Sequence, residues 1–142
     1  MFDWAKLRPI WEPRVLGILR IMVGLLYLEH GLGKLFNFPA SPNAQPYQLF
    51  TLVPGLAGLL EMIGGALIAI GLFTRPVAFI LSGEMAFAYF MRHAPRGFFP
   101  MNNGGDAAIL YCFIFLYFFV VGAGAWSLDQ LRESRGSAGG GI

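Results

Sequence analysis

Four long apolar stretches dominate the amino-acid sequence, and each is apolar on every side of the helix that it would form. They cover residues 15–35, 54–73, 77–91 and 106–125. A bilayer core about 30 Å thick requires about 20 residues of helix, so each stretch is a candidate membrane span. The third is short for a span, and Arg92 and His93 at its end would have to reach toward the interface. The pattern predicts an all-α fold, namely a polytopic membrane four-helix bundle.

The segments between the apolar stretches carry the proline and glycine residues that interrupt helices. Residues 36–53 contain no charge, and residues 94–105 read APRGFFPMNNGG. The first residues, MFDWAKLRPIWEPR, have no apolar signal region, so we expect the first stretch to stay in the mature protein. Residues 132–142 are rich in glycine and serine and are expected to form a flexible tail. We therefore expect a single membrane domain over residues 1–142.

Composition narrows the class of protein further. Hydrophobic residues make up 56% of the chain and charged residues 13%, whereas soluble domains carry about 25% charged residues. The net charge of +2 comes from basic residues scattered around the segment ends, so we expect no nucleic-acid partner. The only cysteine is Cys112, which excludes an internal disulfide and a paired-cysteine redox motif. No histidine or carboxylate spacing typical of a metal site occurs, and we predict no tightly bound metal.

Lysine and arginine residues favour one orientation in the membrane, since positive charges accumulate on the cytoplasmic side. With the N-terminus inside, the cytoplasmic side holds Lys6, Arg8, Arg14, Arg75, Arg132 and Arg135. The outer side then holds Lys34, Arg92 and Arg96. We therefore expect an N-in/C-in topology, with the lipid bilayer as the main surrounding of the chain.

Acidic residues occur where the bilayer disfavours them. They lie within the apolar stretches or at the start of the fourth: Glu29, Glu61, Glu84 and Asp106. A charged residue at the bilayer centre costs about 2.5–3.5 kcal/mol of insertion free energy. In the expected orientation all four lie in the outer half, at the same level as five basic residues: His30, Lys34, Arg92, His93 and Arg96. The sequence thus predicts a mixed acidic and basic cluster beneath the outer loops.

Two interpretations of this cluster stay open. The groups pair across helices and only fix the bundle, or at least one carboxylate exchanges protons with a ligand or an outer water cavity. Glu61 is the first candidate catalytic residue, because it shares a helix face with Gly58 and Gly65 and so faces a closely packed neighbour. Glu84 is the second candidate catalytic residue.

The other candidate site residues would contact a ligand of the cluster. They are Arg20, His30, Lys34, Arg92, His93, Asn103 and Asp106. Each also has a structural interpretation: Arg20, in the inner half, can extend to the interface, the histidines can form interfacial hydrogen bonds, and Asn103 and Asp106 can cap the fourth helix. A stripe of small residues on the first helix recurs every seven positions and predicts close packing: Gly17, Gly24 and Gly31.

Three stretches together resemble the DoxX family of small four-helix bacterial membrane proteins. They are RIMVGLLYLEHGLGKLF (20–36), PGLAGLLEMIGGALIAIGLFTRPVA (54–78) and NNGGDAAILYCFIFLYFFVVGAGAWSLD (102–129). The most specific parts are Arg20 with the downstream motif His30-Gly31-Leu32-Gly33-Lys34, Glu61 followed by Gly64-Gly65, and the turn Asn103 to Asp106. The order and spacing of these parts carry the resemblance.

The resemblance implies a location in the bacterial cytoplasmic (inner) membrane and an association with redox chemistry, since related DoxD-type chains are subunits of thiosulfate:quinone oxidoreductase. The leading hypothesis is a membrane subunit whose outer cluster binds a quinone or a small anion and handles its protons, without a tightly bound cofactor. Electrons would come from a soluble or membrane redox partner. The alternatives are a non-catalytic scaffold for a soluble redox or stress enzyme, and a small transporter. The glycine faces make a homo-oligomer a further candidate assembly.

Overall fold

The computed structural model describes residues 3–42, 51 and 55–138, and within these ranges it is all-helical, with no strand. The helices are α1 (Trp4–Phe36), α2 (Ala57–Ile70), α3 (Thr74–Ala88), α4 (Pro100–Asn103), α5 (Asp106–Val121) and α6 (Leu128–Ala138). A π-helical turn (Tyr89–His93) and a 3-10 turn (Ala94–Arg96) continue α3 toward α4. The predicted all-α class is confirmed.

α1 is longer than the apolar stretch that predicted it. It begins at Trp4 rather than at residue 15, and it includes Pro9 and Pro13. Its first turns are exposed, and Arg8 donates to Glu12 at 2.9 Å, one helical turn away. Side-chain pairs at this spacing stabilise exposed helix, so the apolar span continues into a polar helical segment.

The helices differ in their capacity to cross a membrane. Within the described residues, α1 alone is long and apolar enough by length and composition. α2 and α5 are shorter apolar helices of 14 and 16 residues. α5 begins at Asp106 as expected, but it ends at Val121 rather than residue 125, because Gly122 leaves the helical conformation with a φ of 92°. The number of helices that cross the membrane stays a prediction.

Glycines bring α1 and α2 together along their length. A side chain at Gly24 would overlap the backbone of Ala69, and one at Gly31 would overlap the backbone of Met62. On the facing helix, a side chain at Gly65 would overlap the backbone of α1. Only glycine allows backbones to approach this closely. The predicted close packing of the glycine stripe is confirmed, with Gly24 and Gly31 against α2 and Gly17 against the backbone of Ala125 in the segment after α5.

The apolar core lies where α1 and α2 meet the pair formed by α3 and α5. Its largest fully buried apolar side chains are Tyr27, Ile68, Leu81, Phe115 and Phe118. Aromatic rings from α1 and α5 contact one another in this core, with the Tyr27 and Phe115 ring centroids 4.8 Å apart. The core therefore fixes the buried face of α1 against the other helices, and its polar side chains on that face can meet them.

The C-terminal segment differs from the expected flexible tail. α6 covers Leu128–Ala138, and residues 139–142 lie outside the described part. Its start follows the sequence Ser127-Leu128-Asp129-Gln130, in which the Ser127 hydroxyl oxygen accepts the N–H of Gln130 at 3.2 Å. A serine with glutamine three residues later is a helix-start signal. The glycines near the end of the chain obscured this signal in the sequence.

Candidate functional site

A buried ion pair joins α1 to α2. The Lys34 ammonium contacts Glu61 Oε1 at 2.5 Å. The Glu61 side chain is only 3% exposed, whereas that of Lys34 is 33% exposed. Lys34 therefore connects the buried carboxylate to the edge of the bundle.

A second carboxylate joins α1 to α3 beside this pair. The Tyr27 hydroxyl donates to Glu84 Oε2 at 3.1 Å, and the Tyr27 ring is itself fully buried. Glu84 lies close enough to Glu61 and Lys34 to interact electrostatically with both. We call Tyr27, Lys34, Glu61 and Glu84 the carboxylate cluster, and the end of the bundle that holds it the carboxylate end.

Each carboxylate of the cluster keeps one oxygen free. Glu61 Oε2 and Glu84 Oε1 are buried and have no hydrogen-bond partner within the described residues. Buried polar groups of this kind are costly and are normally satisfied. Two carboxylates and one ammonium also carry a net charge of −1 when all are ionised. The cluster therefore has one more negative charge than positive charge, and each carboxylate has an oxygen that can take a proton.

The predicted outer group divides into two. Lys34, Glu61 and Glu84 come together, and His30 lies at their side. His30 is exposed, its Nδ1 lies 2.8 Å from the Leu26 carbonyl oxygen, and its ring centroid is 6.0 Å from that of Tyr111. It is the one predicted histidine at the cluster.

The remaining predicted residues form a separate loop structure. Asn103 is buried, its Nδ2 donates to the Gly97 carbonyl and its Oδ1 accepts the Gly105 N–H, each at 2.8 Å. His93 Nδ1 lies 3.1 Å from the Asn103 carbonyl oxygen. Both ends of the Asn103 amide are thus engaged in holding the loop before α5. Two further predicted residues are exposed there: Arg92 and Asp106.

Arg20 corrects a prediction. It was expected to contact a ligand of the cluster, but its side chain is fully buried inside the protein at the opposite end of the bundle. The guanidinium donates five hydrogen bonds, all to backbone carbonyls: those of Ile68, Ala69, Ala123, Ala125 and Trp126. An arginine has five N–H donors, so none is left for a ligand. Arg20 caps the end of α2 and holds the segment between α5 and α6. We call this end of the bundle the arginine end.

Tyr27 was absent from the predicted site residues. The signal in the sequence is its spacing, because Arg20, Tyr27 and Lys34 recur every seven residues and so lie on one face of α1. All three polar groups use that face to contact other helices: Arg20 the end of α2, Tyr27 the middle of α3, and Lys34 the start of α2. Polar residues that recur every seven positions in an apolar helix therefore indicate side chains that contact the other helices.

Comparison with known proteins gives related sequences of similar length. The DoxX family model matches residues 15–94. An uncharacterized protein of Haemophilus influenzae is 45% identical over 123 residues, which cover 84% of this chain and 92% of the relative. An uncharacterized membrane protein of Mycobacterium tuberculosis is 28% identical over 153 residues, which cover 96% of this chain and 92% of the relative. No solved structure matches significantly.

Proposed function

The chain belongs to the DoxX family of membrane proteins, and on this premise we propose that it is a subunit of a quinone-linked redox system in the bacterial cytoplasmic membrane. In this proposal the carboxylate cluster binds the quinone head group and exchanges protons with it. Electrons come from a partner protein. The observation that carries the proposal is the buried carboxylate of Glu61, paired with Lys34, beside the half-buried carboxylate of Glu84.

The proposal includes four membrane passes with both termini in the cytoplasm. α1 supplies the first pass, and α2 and α5 are apolar helices that would cross a thin or locally thinned bilayer. α3 and the turns that follow it form one helical path from Thr74 to Arg96. The excess of lysine and arginine near the arginine end orients that end toward the cytoplasm. The carboxylate end then faces outward.

The chemistry of the cluster suits a quinone. Reduction of a quinone to a quinol adds two electrons and two protons, so a quinone site needs proton donors next to the carbonyl oxygens. Glu84 and Glu61 can each carry a proton, while the Lys34 ammonium has N–H donors beyond the one that binds Glu61. Lys34 is partly exposed and offers a route for protons from the outer surface to Glu61. The cluster thus supplies protons and hydrogen bonds but no electrons.

The test compares Glu61→Gln with Glu29→Gln. Glu29 is an exposed carboxylate near the same end of α1, which makes it a matched control. Each protein is purified in mild detergent, and the quinone and the protein partners that copurify are quantified by mass spectrometry. Quinone-linked electron transfer is measured in membranes that contain each variant. We expect Glu61→Gln to be expressed normally, to lose the quinone and to abolish the activity, whereas Glu29→Gln retains both.

Normal quinone content and activity in Glu61→Gln would refute the role of this carboxylate. Retention of a soluble partner by the native protein, with no quinone, would instead favour a scaffold. Folding of each variant is checked by its elution profile in detergent. Lys34 can reach water when Glu61 is neutral, because a third of its side chain is exposed, and so we expect Glu61→Gln to fold.

A further inference from the structure

A cavity lies at the arginine end, away from the carboxylate cluster. Its volume is about 710 Å³, and it is bounded by the start of α3, the segment after α5 and the first turns of α6. Apolar and charged groups share its wall, since Phe73 and Val121 line it together with Arg75 and Arg132. None of these residues belongs to the site described above.

Two guanidinium groups of this cavity have free N–H donors. Arg75 donates from Nη1 to the carbonyls of Phe119 and Val120, at 2.9 and 2.6 Å, which fixes it at the end of α5. Within the described residues its Nε and Nη2 make no hydrogen bond. Arg132 lies over the Phe73 ring, with its guanidinium carbon 4.7 Å from the ring centroid. It makes no hydrogen bond to any residue that the structure describes. Both groups can bind an anion.

The carboxylates of the cavity do not cancel this capacity. Asp129 uses both oxygens to accept the N–H groups of Phe73 and Thr74, at 2.9 and 2.8 Å. The negative charge of Asp129 is therefore compensated by the N–H groups at the start of α3 and by the positive charge of Arg20. Glu133 is the other carboxylate that lines the cavity, and its removal should strengthen the binding of an anion.

We propose that this cavity binds the phosphate group of an anionic phospholipid. Two arginines in one cavity, each with free N–H groups, can bind the oxygens of a phosphate. A lipid rather than a free phosphate is favoured because exposed apolar residues stand next to the cavity-lining residues in the chain, namely Trp126, Leu128 and Leu131. Tryptophan and leucine beside arginine are typical of the boundary between head groups and acyl chains.

The lipid would bridge α3 and α6, because Arg75 belongs to one and Arg132 to the other. Its placement in the cytoplasmic leaflet rests on the topology within the proposed function, but not on the quinone activity. A failure of the quinone proposal therefore leaves this site untouched, and Glu61→Gln should bind the phospholipid as the native protein does.

The test compares Arg132→Gln with Arg135→Gln. Both arginines are exposed residues of α6, but Arg135 does not line the cavity. Each protein is delipidated in detergent and titrated with phosphatidylglycerol, phosphatidylcholine or inorganic phosphate, and bound molecules are counted by native mass spectrometry. We expect the native protein and Arg135→Gln to prefer phosphatidylglycerol. Loss of one charge-assisted contact should lower the affinity of Arg132→Gln about tenfold.

A second variant tests the sign of the charge effect, since Glu133→Gln should bind phosphatidylglycerol more tightly than the native protein. Equal loss of binding in Arg132→Gln and Arg135→Gln would overturn the proposal, because it would indicate a general surface charge effect. Equal affinity of the native protein for the two phospholipids would also overturn it. If inorganic phosphate binds and phosphatidylglycerol does not, the cavity takes a free phosphate and the lipid assignment is wrong.

Discussion

Replacement of Arg20 by methionine should destabilise the protein more than any other single change to its polar groups. Methionine fills a similar length of buried space but donates no hydrogen bond. The backbone carbonyls of Ala69, Ala123, Ala125 and Trp126 then lose the bond that Arg20 provides. Ile68 is less affected, because its carbonyl also accepts the Gly71 N–H at 3.0 Å.

The magnitude follows from these lost bonds. A buried carbonyl left without a partner costs about 1–3 kcal/mol, and water that enters at the loop would recover part of this. Loss of the four bonds that Arg20 alone provides, partly offset by this water, should cost about 3–5 kcal/mol in total, which is a large share of the usual stability of about 5–15 kcal/mol. At roughly 2–4 °C per kcal/mol for a chain of this size, the midpoint of thermal unfolding should fall by about 10 °C.

The assay is thermal unfolding in detergent micelles, followed by the fraction of protein that still elutes as a folded species. The control is Arg14→Met, since Arg14 is exposed and lies against the Trp11 ring. We expect the control to unfold close to the native temperature. If Arg20→Met were no less stable than Arg14→Met, the argument that Arg20 joins α2 to the segment after α5 would be wrong.

Two further predictions concern the backbone. Gly31→Val should abolish folding, because a side chain there overlaps the Met62 backbone. Gly83→Ala should express normally, since nothing lies within 4 Å of that position. The yield of monodisperse protein tests both expectations. Asp129→Asn should lower the free energy of unfolding by about 1 kcal/mol, because a neutral amide holds the start of α3 less strongly than a carboxylate; a change as large as that of Arg20→Met would contradict the assignment of this residue as a simple cap.

Hydrophobic patterning predicted the all-helical class, and the four apolar stretches overlap α1, α2, α3 and α5. It also indicated close packing at the glycine stripe and placed Lys34, Glu61 and Glu84 at one level, since depth along a span follows from counting residues. The same pattern overestimated the length of α5, because a run of small residues from Gly122 to Ala125 is apolar without being helical.

The hydrophobic pattern could not predict contacts between residues that are distant in the chain. Arg20 could have extended to the interface, and nothing local in the sequence shows that carbonyls of a later segment surround it. Asp129 likewise caps α3, a helix that it follows by more than fifty positions in the chain. The direction in which a polar side chain of an apolar helix points depends on which helix packs beside it. The packing of helices is set by the whole fold and not by the local sequence.

The position of Arg20 has a consequence for the order of events during synthesis. α1 is made first, yet the acceptors for its arginine lie 48 residues later at Ile68 and 103 residues later at Ala123. Until those carbonyls emerge from the ribosome, the first helix carries an unmatched guanidinium that resists entry into lipid. Three of the five acceptors follow α5, so a nascent protein that stops before the end of that helix offers Arg20 only the carbonyls of α2, and the guanidinium keeps N–H groups without a partner.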